Sequence, residues 1–212
     1  MLKWSRQLDY GQPAPDFALP DTAGTIRSLG EFDSPALLIA FICNHCPVVL
    51  HMLDGLCDLA REYADKGLQV VAISSNDPAE FAEDDYAHMQ AFARDRALPF
   101  PYLYDESQDV ALAYNAICTP DFFLYGPDRT LFYAGQFDAS RPKLPHPPVP
   151  GAPVQRTDLP VTGDDMRRLA ATVALEERQR RAIGRLLRMS PITAEPGHQH
   201  GAVGRIGGEQ RC

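Results

Sequence analysis

No stretch of this 212-residue chain approaches the roughly 18 consecutive apolar residues of a membrane-spanning helix. The opening residues, Met1 to Gln7, lack the continuous apolar segment of a secretory leader, so a cytoplasmic protein is expected. Positive charge is scarce: 20 Lys and Arg against 28 Asp and Glu leave a net charge of −8. That balance argues against nucleic acid or an anionic membrane as the main partner. Cysteine is also sparse, and odd in number. Cys43, Cys46, Cys57, Cys118 and Cys212 do not form the even set of a secreted disulfide framework. In a reducing compartment a close pair such as Cys43 and Cys46 points instead to catalysis or metal binding. No internal repeat divides the chain, and its 45% hydrophobic content suits one domain with appendages.

The stretch around which the chain is organised is Ala36–Pro47, Ala-Leu-Leu-Ile-Ala-Phe-Ile-Cys-Asn-His-Cys-Pro. Its seven apolar residues, Ala36 to Ile42, show no polar alternation and predict a strand covered on both faces, as in a parallel sheet. A helical stripe follows at Val49, Met52/Leu53, Leu56, Leu59/Ala60 and Tyr63. Pro47 suits the first helical position, where a missing N–H costs nothing. At least Cys46 therefore lies at a helix N-terminus, where backbone N–H groups and the helix dipole favour a thiolate.

The rest of the chain extends this unit. Pro13–Leu19, a turn at Asp21–Gly24 and Thr25–Ser28 predict an N-terminal hairpin. Lys66-Gly67 closes the helix, and Leu68–Ser74 is a second strand that completes a right-handed β-α-β unit. Asp84–Ala97 carries Tyr86, Met89, Phe92 and Ala93 in helical register, Tyr102–Tyr104 is a short strand, and Ser107 caps a brief helix ending near Tyr114. Phe122–Tyr125 and Thr130–Tyr133 flank a Gly126-Pro127-Asp128-Arg129 turn and make an antiparallel hairpin. Seven prolines between Pro142 and Pro160 predict a loop without regular structure. Thr162 caps a last helix with Met166, Leu169, Ala170 and Val173 as its stripe, and residues 190–212 read as a disordered tail.

Strand, cysteine-bearing helix, strand, helix, then Thr-Pro and a hairpin followed by a last helix is the order of a thioredoxin fold. The phrases Phe41-Ile42-Cys43-Asn44-His45-Cys46-Pro47, Phe100-Pro101-Tyr102-Leu103-Tyr104-Asp105, Cys118-Thr119-Pro120-Asp121-Phe122-Phe123 and Gly135-Gln136-Phe137-Asp138 resemble a bacterial redoxin subfamily. These are peroxiredoxin-like members of the alkyl hydroperoxide reductase/thiol-specific antioxidant family, in the thioredoxin superfamily. The likeness covers about residues 10–183, the expected domain. It implies an α/β fold, a central mixed β-sheet flanked by helices, extended here by the N-terminal β-hairpin. It also implies a cis Pro120 beside the cysteines, exposing the Thr119 backbone to pair with a substrate. Two departures stand out. Ser190-Pro191-Ile192-Thr193-Ala194 carries no cysteine where relatives commonly have one nearby, and the 142–160 loop is longer than usual.

Two registers compete for the attacking cysteine. By likeness to thioredoxin, Cys43 attacks and Cys46 resolves. In related periplasmic oxidoreductases the attacking cysteine lies five residues after the strand phenylalanine and about twenty before a Lys-Gly helix end, which fits Phe41, Cys46 and Lys66. Peroxiredoxins also place a proline directly after it, as Pro47 follows Cys46. Cys46 is therefore taken as the nucleophile and Cys43 as its resolving partner. Peroxidase members hold peroxide with a Pro-x-x-x-Thr-x-x-Cys pattern; here Ile39 and Cys43 occupy the Pro and Thr positions, and Arg141 is the candidate for the peroxide-activating arginine.

The expected function is thus a thiol–disulfide oxidoreductase, with Thr119 and Pro120 positioning a protein or small-molecule disulfide. A thioredoxin-type protein or small thiol supplies the reducing equivalents, and no organic cofactor is implied. A thiol peroxidase acting on hydroperoxides through Cys46 is the alternative within enzymes. A metal-binding, chaperone-like redoxin is the alternative outside them. Cys43, His45 and Cys46 offer soft and imidazole donors, but no partner cluster supplies a fourth, so no metal site is assigned. His45 is a candidate for tuning the thiolate or a plain turn residue. Cys118 either approaches the cysteine pair or packs as a core thiol. Cys57 reads as core, His51 as solvated helix surface, and His198 and His200 as weak adventitious metal binders. Glu80, Glu83, Asp84 and Asp85 read as the solvated start of a helix.

Overall fold

The computed structural model describes residues 10–137 and Pro142. Ala18–Pro20 (β1) and Ile26–Ser28 (β2) form the expected antiparallel N-terminal hairpin. Asp21 holds its turn by accepting from the amides of Ala23 and Thr25, each at 2.9 Å. Ala36–Phe41 (β3) follows, and every one of its six residues is buried. The alternation that a half-exposed strand would show is missing because both faces are covered.

Pro47–Tyr63 (α1) has Pro47 at its start and buries Val49, Met52, Leu53, Leu56, Cys57, Leu59 and Ala60 against the sheet. The chain leaves it through a short 3₁₀ turn, Ala64–Lys66, and Gly67 at φ 92°. Leu68–Ser74 (β4) then pairs parallel to β3, completing the β-α-β unit. The next helix is shorter than the apolar pattern predicts. It runs Tyr86–Asp95 (α2), because Asp85 caps it by accepting from the His88 amide at 2.7 Å. Asp84 is therefore left outside the helix, in a preceding 3₁₀ turn, Ala82–Asp84.

Tyr102–Tyr104 (β5) pairs parallel to β4. Asp109–Tyr114 (α3) has Gln108, not Ser107, at its N-cap; Ser107 Oγ still accepts from the Asp109 amide at 3.2 Å. The buried Asp105 carboxylate accepts from the Ala111 amide at 2.9 Å. Asp121–Tyr125 (β6) and Leu131–Gly135 (β7) close the sheet, giving the order β5-β4-β3-β6-β7 with β6 and β7 antiparallel.

The sheet separates two apolar clusters. Leu38, Ala40 and Ile42 face α1 and α2, together with Leu56, Met89 and Phe122. Leu37, Ile39 and Phe41 face α3 and the N-terminal arm, with Phe17, Phe32, Tyr114 and Phe123. This is an α/β thioredoxin fold. No helix among the described residues is long and apolar enough to cross a membrane. The proline-rich 142–160 loop beyond Pro142, the last helix from Thr162, the 190–212 tail, Arg141, His198, His200 and Cys212 lie outside the described residues.

Candidate active site

Strand register brings the site together. β3 ends at Phe41, which pairs with Asp121, the first residue of antiparallel β6. The Ile42–Cys46 turn and the Thr119-Pro120 segment therefore meet at one end of the two central strands. The Thr119–Pro120 bond is cis, the isomer implied by the resemblance.

Cys46 is the N-cap of α1, with extended backbone (φ −63°, ψ 121°) and Sγ at the first turn. Its exposure is only 6%, and that of Cys43 is 1%. As a thiol, Cys46 donates to the Thr119 carbonyl at 3.3 Å. As a thiolate it accepts from the Cys43 thiol and from the Val49 and Val48 amides. These bonds, Cys43's above all, hold it down at about 5 against the opposing cost of burial. The partner moves the other way. The bond to Cys46, then burial, push the Cys43 thiol up, and the nearby Asp84 charge adds to this. The pair shares one proton, kept on Cys43. Thr119 Oγ1 lies 3.2 Å from Cys43 Sγ, so one threonine touches both sulfurs.

The four-residue turn is clamped from behind by Asp84 and its neighbours, to which the sequence assigns no part in the site. Asp84 was expected on a solvated helix start; it is instead wholly buried. Its Oδ1 accepts from the Asn44 amide at 2.7 Å, and its Oδ2 accepts from Asn76 Nδ2 and His45 Nδ1, both at 2.7 Å. Asn44 in turn donates through Nδ2 to the Glu83 carbonyl at 2.7 Å and accepts from the Tyr102 hydroxyl at 3.0 Å. The His45 ring stacks on Phe81 with centroids 4.5 Å apart and 19° between planes. Its side chain keeps 27% exposure. Glu83 and Asp85 stay at the surface or half-buried, as a solvated helix start requires, so only Asp84 departs.

Cys43 Sγ, a ring nitrogen of His45 and an Asp84 oxygen lie within 4.8 Å of one another. Asp84 is a donor that the sequence reading did not count. Three hydrogen bonds, from Asn44, His45 and Asn76, satisfy its buried oxygens. Cys118 is half-buried beside Thr119, and Cys57 packs in the α1 stripe, where burial pushes its thiol up. His51 is on the exposed face of α1.

A thioredoxin fold with a cysteine at a helix start beside a cis-proline is the architecture of a redoxin. The chain belongs to the AhpC/TSA family, whose model matches residues 10–134. It is 32% identical over 117 residues to thioredoxin-like protein YneN of Bacillus subtilis (strain 168), covering 55% of this chain and 65% of that one. Over 105 residues it is 26% identical to thiol-disulfide oxidoreductase ResA of Halalkalibacterium halodurans, covering 50% of this chain and 56% of that protein. The chain therefore spans less than two thirds of either curated relative. A solved structure described as a hypothetical protein of Sinorhizobium meliloti 1021 is 44% identical with a TM-score of 0.70, covering 80% of this chain and 86% of that one.

Proposed function

We propose that this protein is a thiol–disulfide oxidoreductase in which Cys46 attacks and Cys43 resolves. The observation that carries the reading is Cys46 Sγ at the start of α1, bonded as a thiolate by its neighbours, with a protonated second thiol buried beside it. The Cys46 thiolate attacks one sulfur of a substrate disulfide and expels the other as a thiolate. Cys43 then attacks Cys46 Sγ, closes a Cys43–Cys46 disulfide and releases the second substrate thiol. The substrate gains two electrons and the protein loses them. Thr119 and Pro120 line the approach, and the Thr119 carbonyl, freed from Cys46, accepts from an extended peptide or small disulfide. A second thiol protein or small thiol restores the dithiol, and the setting is the cytoplasm.

A glutathione redox titration with peptide-mass mapping at each poise tests this. A Cys43–Cys46 bond forming reversibly is the expected result; its absence at every poise overturns the dithiol mechanism. Membership of the AhpC/TSA family and Pro47 directly after Cys46 favour a second reading, a thiol peroxidase. In that case peroxide converts Cys46 to a sulfenic acid before any disulfide forms.

A further inference from the structure

The sequence places three metal donors in one turn, Cys43, His45 and Cys46, with no fourth nearby. The fold supplies the fourth. Asp85 caps α2, and Asp84 is drawn inward from the β4–α2 connection to the back of the same turn. Cys43 Sγ, a ring nitrogen of His45 and an Asp84 oxygen lie within 4.8 Å of one another. The Cys46 sulfur adjoins this group through its bond with the Cys43 thiol. Two sulfurs, an imidazole and a carboxylate form a mixed donor set that tetrahedral zinc accepts. Zinc bonds of about 2.0–2.3 Å set neighbouring ligand atoms roughly 3.2–3.6 Å apart, so these donors close on an ion with shifts of about an ångström.

Charge points the same way. Asp84 is wholly buried, and His45 is its ion-pair partner. Residues 42–52, 76–85 and 115–121, which build the site, contain no Lys or Arg. A buried carboxylate and a buried thiolate thus lie close together with no basic side chain from these segments beyond His45, and buried charges are paired or coordinate metals. The surroundings hold the donors in place. The Asn44 amide and Asn76 Nδ2 fix the carboxylate, Phe81 stacks on the His45 ring, and Thr119 Oγ1 lies 3.2 Å from Cys43 Sγ. Outer contacts of this kind orient the ligands of a metal.

We propose that the reduced protein holds a zinc ion between Cys43, Cys46, His45 and Asp84. The ion takes the place of the proton that the two sulfurs share; that proton leaves to solvent and both thiolates bind. His45 binds as the neutral ring. Zinc then occupies the sulfur with which Cys46 attacks, so the loaded protein is silent in disulfide exchange. That consequence rests on the oxidoreductase reading above, whereas the site itself needs only two reduced thiols. Oxidation works against binding. When a substrate disulfide takes two electrons from the metal-free protein and the Cys43–Cys46 bond forms, two of the four donors are lost, and the oxidised protein does not hold the ion.

The test uses full-length protein, reduced and metal-stripped, in a Cys118→Ser, Cys212→Ser, His198→Gln, His200→Gln background. Zinc chloride is titrated against a chelating dye, and cobalt(II) serves as a coloured stand-in. One equivalent should bind, with sulfur-to-cobalt charge-transfer and tetrahedral d–d absorption, and the disulfide form should bind none. Asp84→Asn and His45→Gln should each weaken zinc binding about tenfold or more, as even the loss of an outer contact does. His45→Gln, at a partly exposed position, decides the matter if Asp84→Asn does not fold. No binding, or binding that neither substitution weakens, overturns the site; the second result means adventitious chelation by the thiols only. One equivalent of zinc should also stop the release of coloured thiolate from an aromatic disulfide, and a chelator should restore it. Release at full rate from the zinc-loaded protein overturns the silencing. Metal-free protein that releases no thiolate instead overturns the oxidoreductase reading, while the dye titration still decides the zinc site.

Discussion

The Cys46 sulfur is held by opposing forces of unequal size. Burial favours the thiol, while the Cys43 S–H and two α1 amides favour the thiolate, and the bonds prevail. Its alkylation rate by iodoacetamide should therefore be half-maximal at about pH 5 and flat from there to neutrality. A half-point near the ordinary thiol value of about 8.5 would contradict this. The largest single contribution is the Cys43 hydrogen bond, so Cys43→Ala should move the half-point upward, measured in the same assay. An unmoved half-point would assign the depression to the helix start alone. Cys43→Ser should keep the attacking cysteine but lose the resolving one. A mixed disulfide with a substrate thiol should then accumulate on Cys46, visible as added mass.

At the scale of elements, α1 and its flanking strands hold the site in place through burial and one special turn. Leu56 is fully buried between α1 and the sheet, so Leu56→Ala should cost about 2–5 kcal/mol in urea unfolding. Gly67 ends the helix at φ 92°, and an added Cβ would meet the Pro35 ring at 3.3 Å. Gly67→Ala should cost about 1–2 kcal/mol for the left-handed backbone alone, and the alkylation half-point of Cys46 should not move. These elements were legible in sequence because their signals are local. The unbroken run Ala36–Ile42, the α1 stripe and the Lys66-Gly67 stop each lie within a few residues of what they specify. The position of Cys46 at the start of α1 was legible for the same reason. Asp84, Asn76 and Tyr102 were not. Asp84 and Asp85 are identical by composition, and only the choice of Asp85 as cap sends its neighbour inward. The contacts Asn44–Asp84 and Tyr102–Asn44 span 40 and 58 residues, and no local pattern announces them. Likewise, the bridge of Asp21 to Leu103, which lays the N-terminal hairpin along β5, follows from tertiary packing.

For the molecule as a whole, the site joins three separate segments at one end of the central strands, so its protonation is linked to folding. The unfolded chain has no Cys43 bond or helix amides to offer, and Cys46 there titrates near 8.5. Between about pH 5 and 8.5 the native Cys46 is ionised while the unfolded one still holds its proton. The unfolded state binds more protons, so stability rises with pH across that window and the gain is lost as pH falls toward 5. Cys43 acts in reverse. Its raised native value means the folded state keeps a proton that the unfolded chain releases above about 8.5, and stability then declines. Carboxylates titrate too, but they do so in both proteins, and the difference between the parent and Cys46→Ser reports the Cys43–Cys46 pair, which below about pH 8.5 is the Cys46 thiol. Urea unfolding of the reduced proteins should show that difference growing by up to about 1.4 kcal/mol per pH unit above pH 5. It should stop growing near pH 8.5. A difference that stays flat over this range would mean that folding does not stabilise the Cys46 thiolate, and the nucleophile assignment would fall with it.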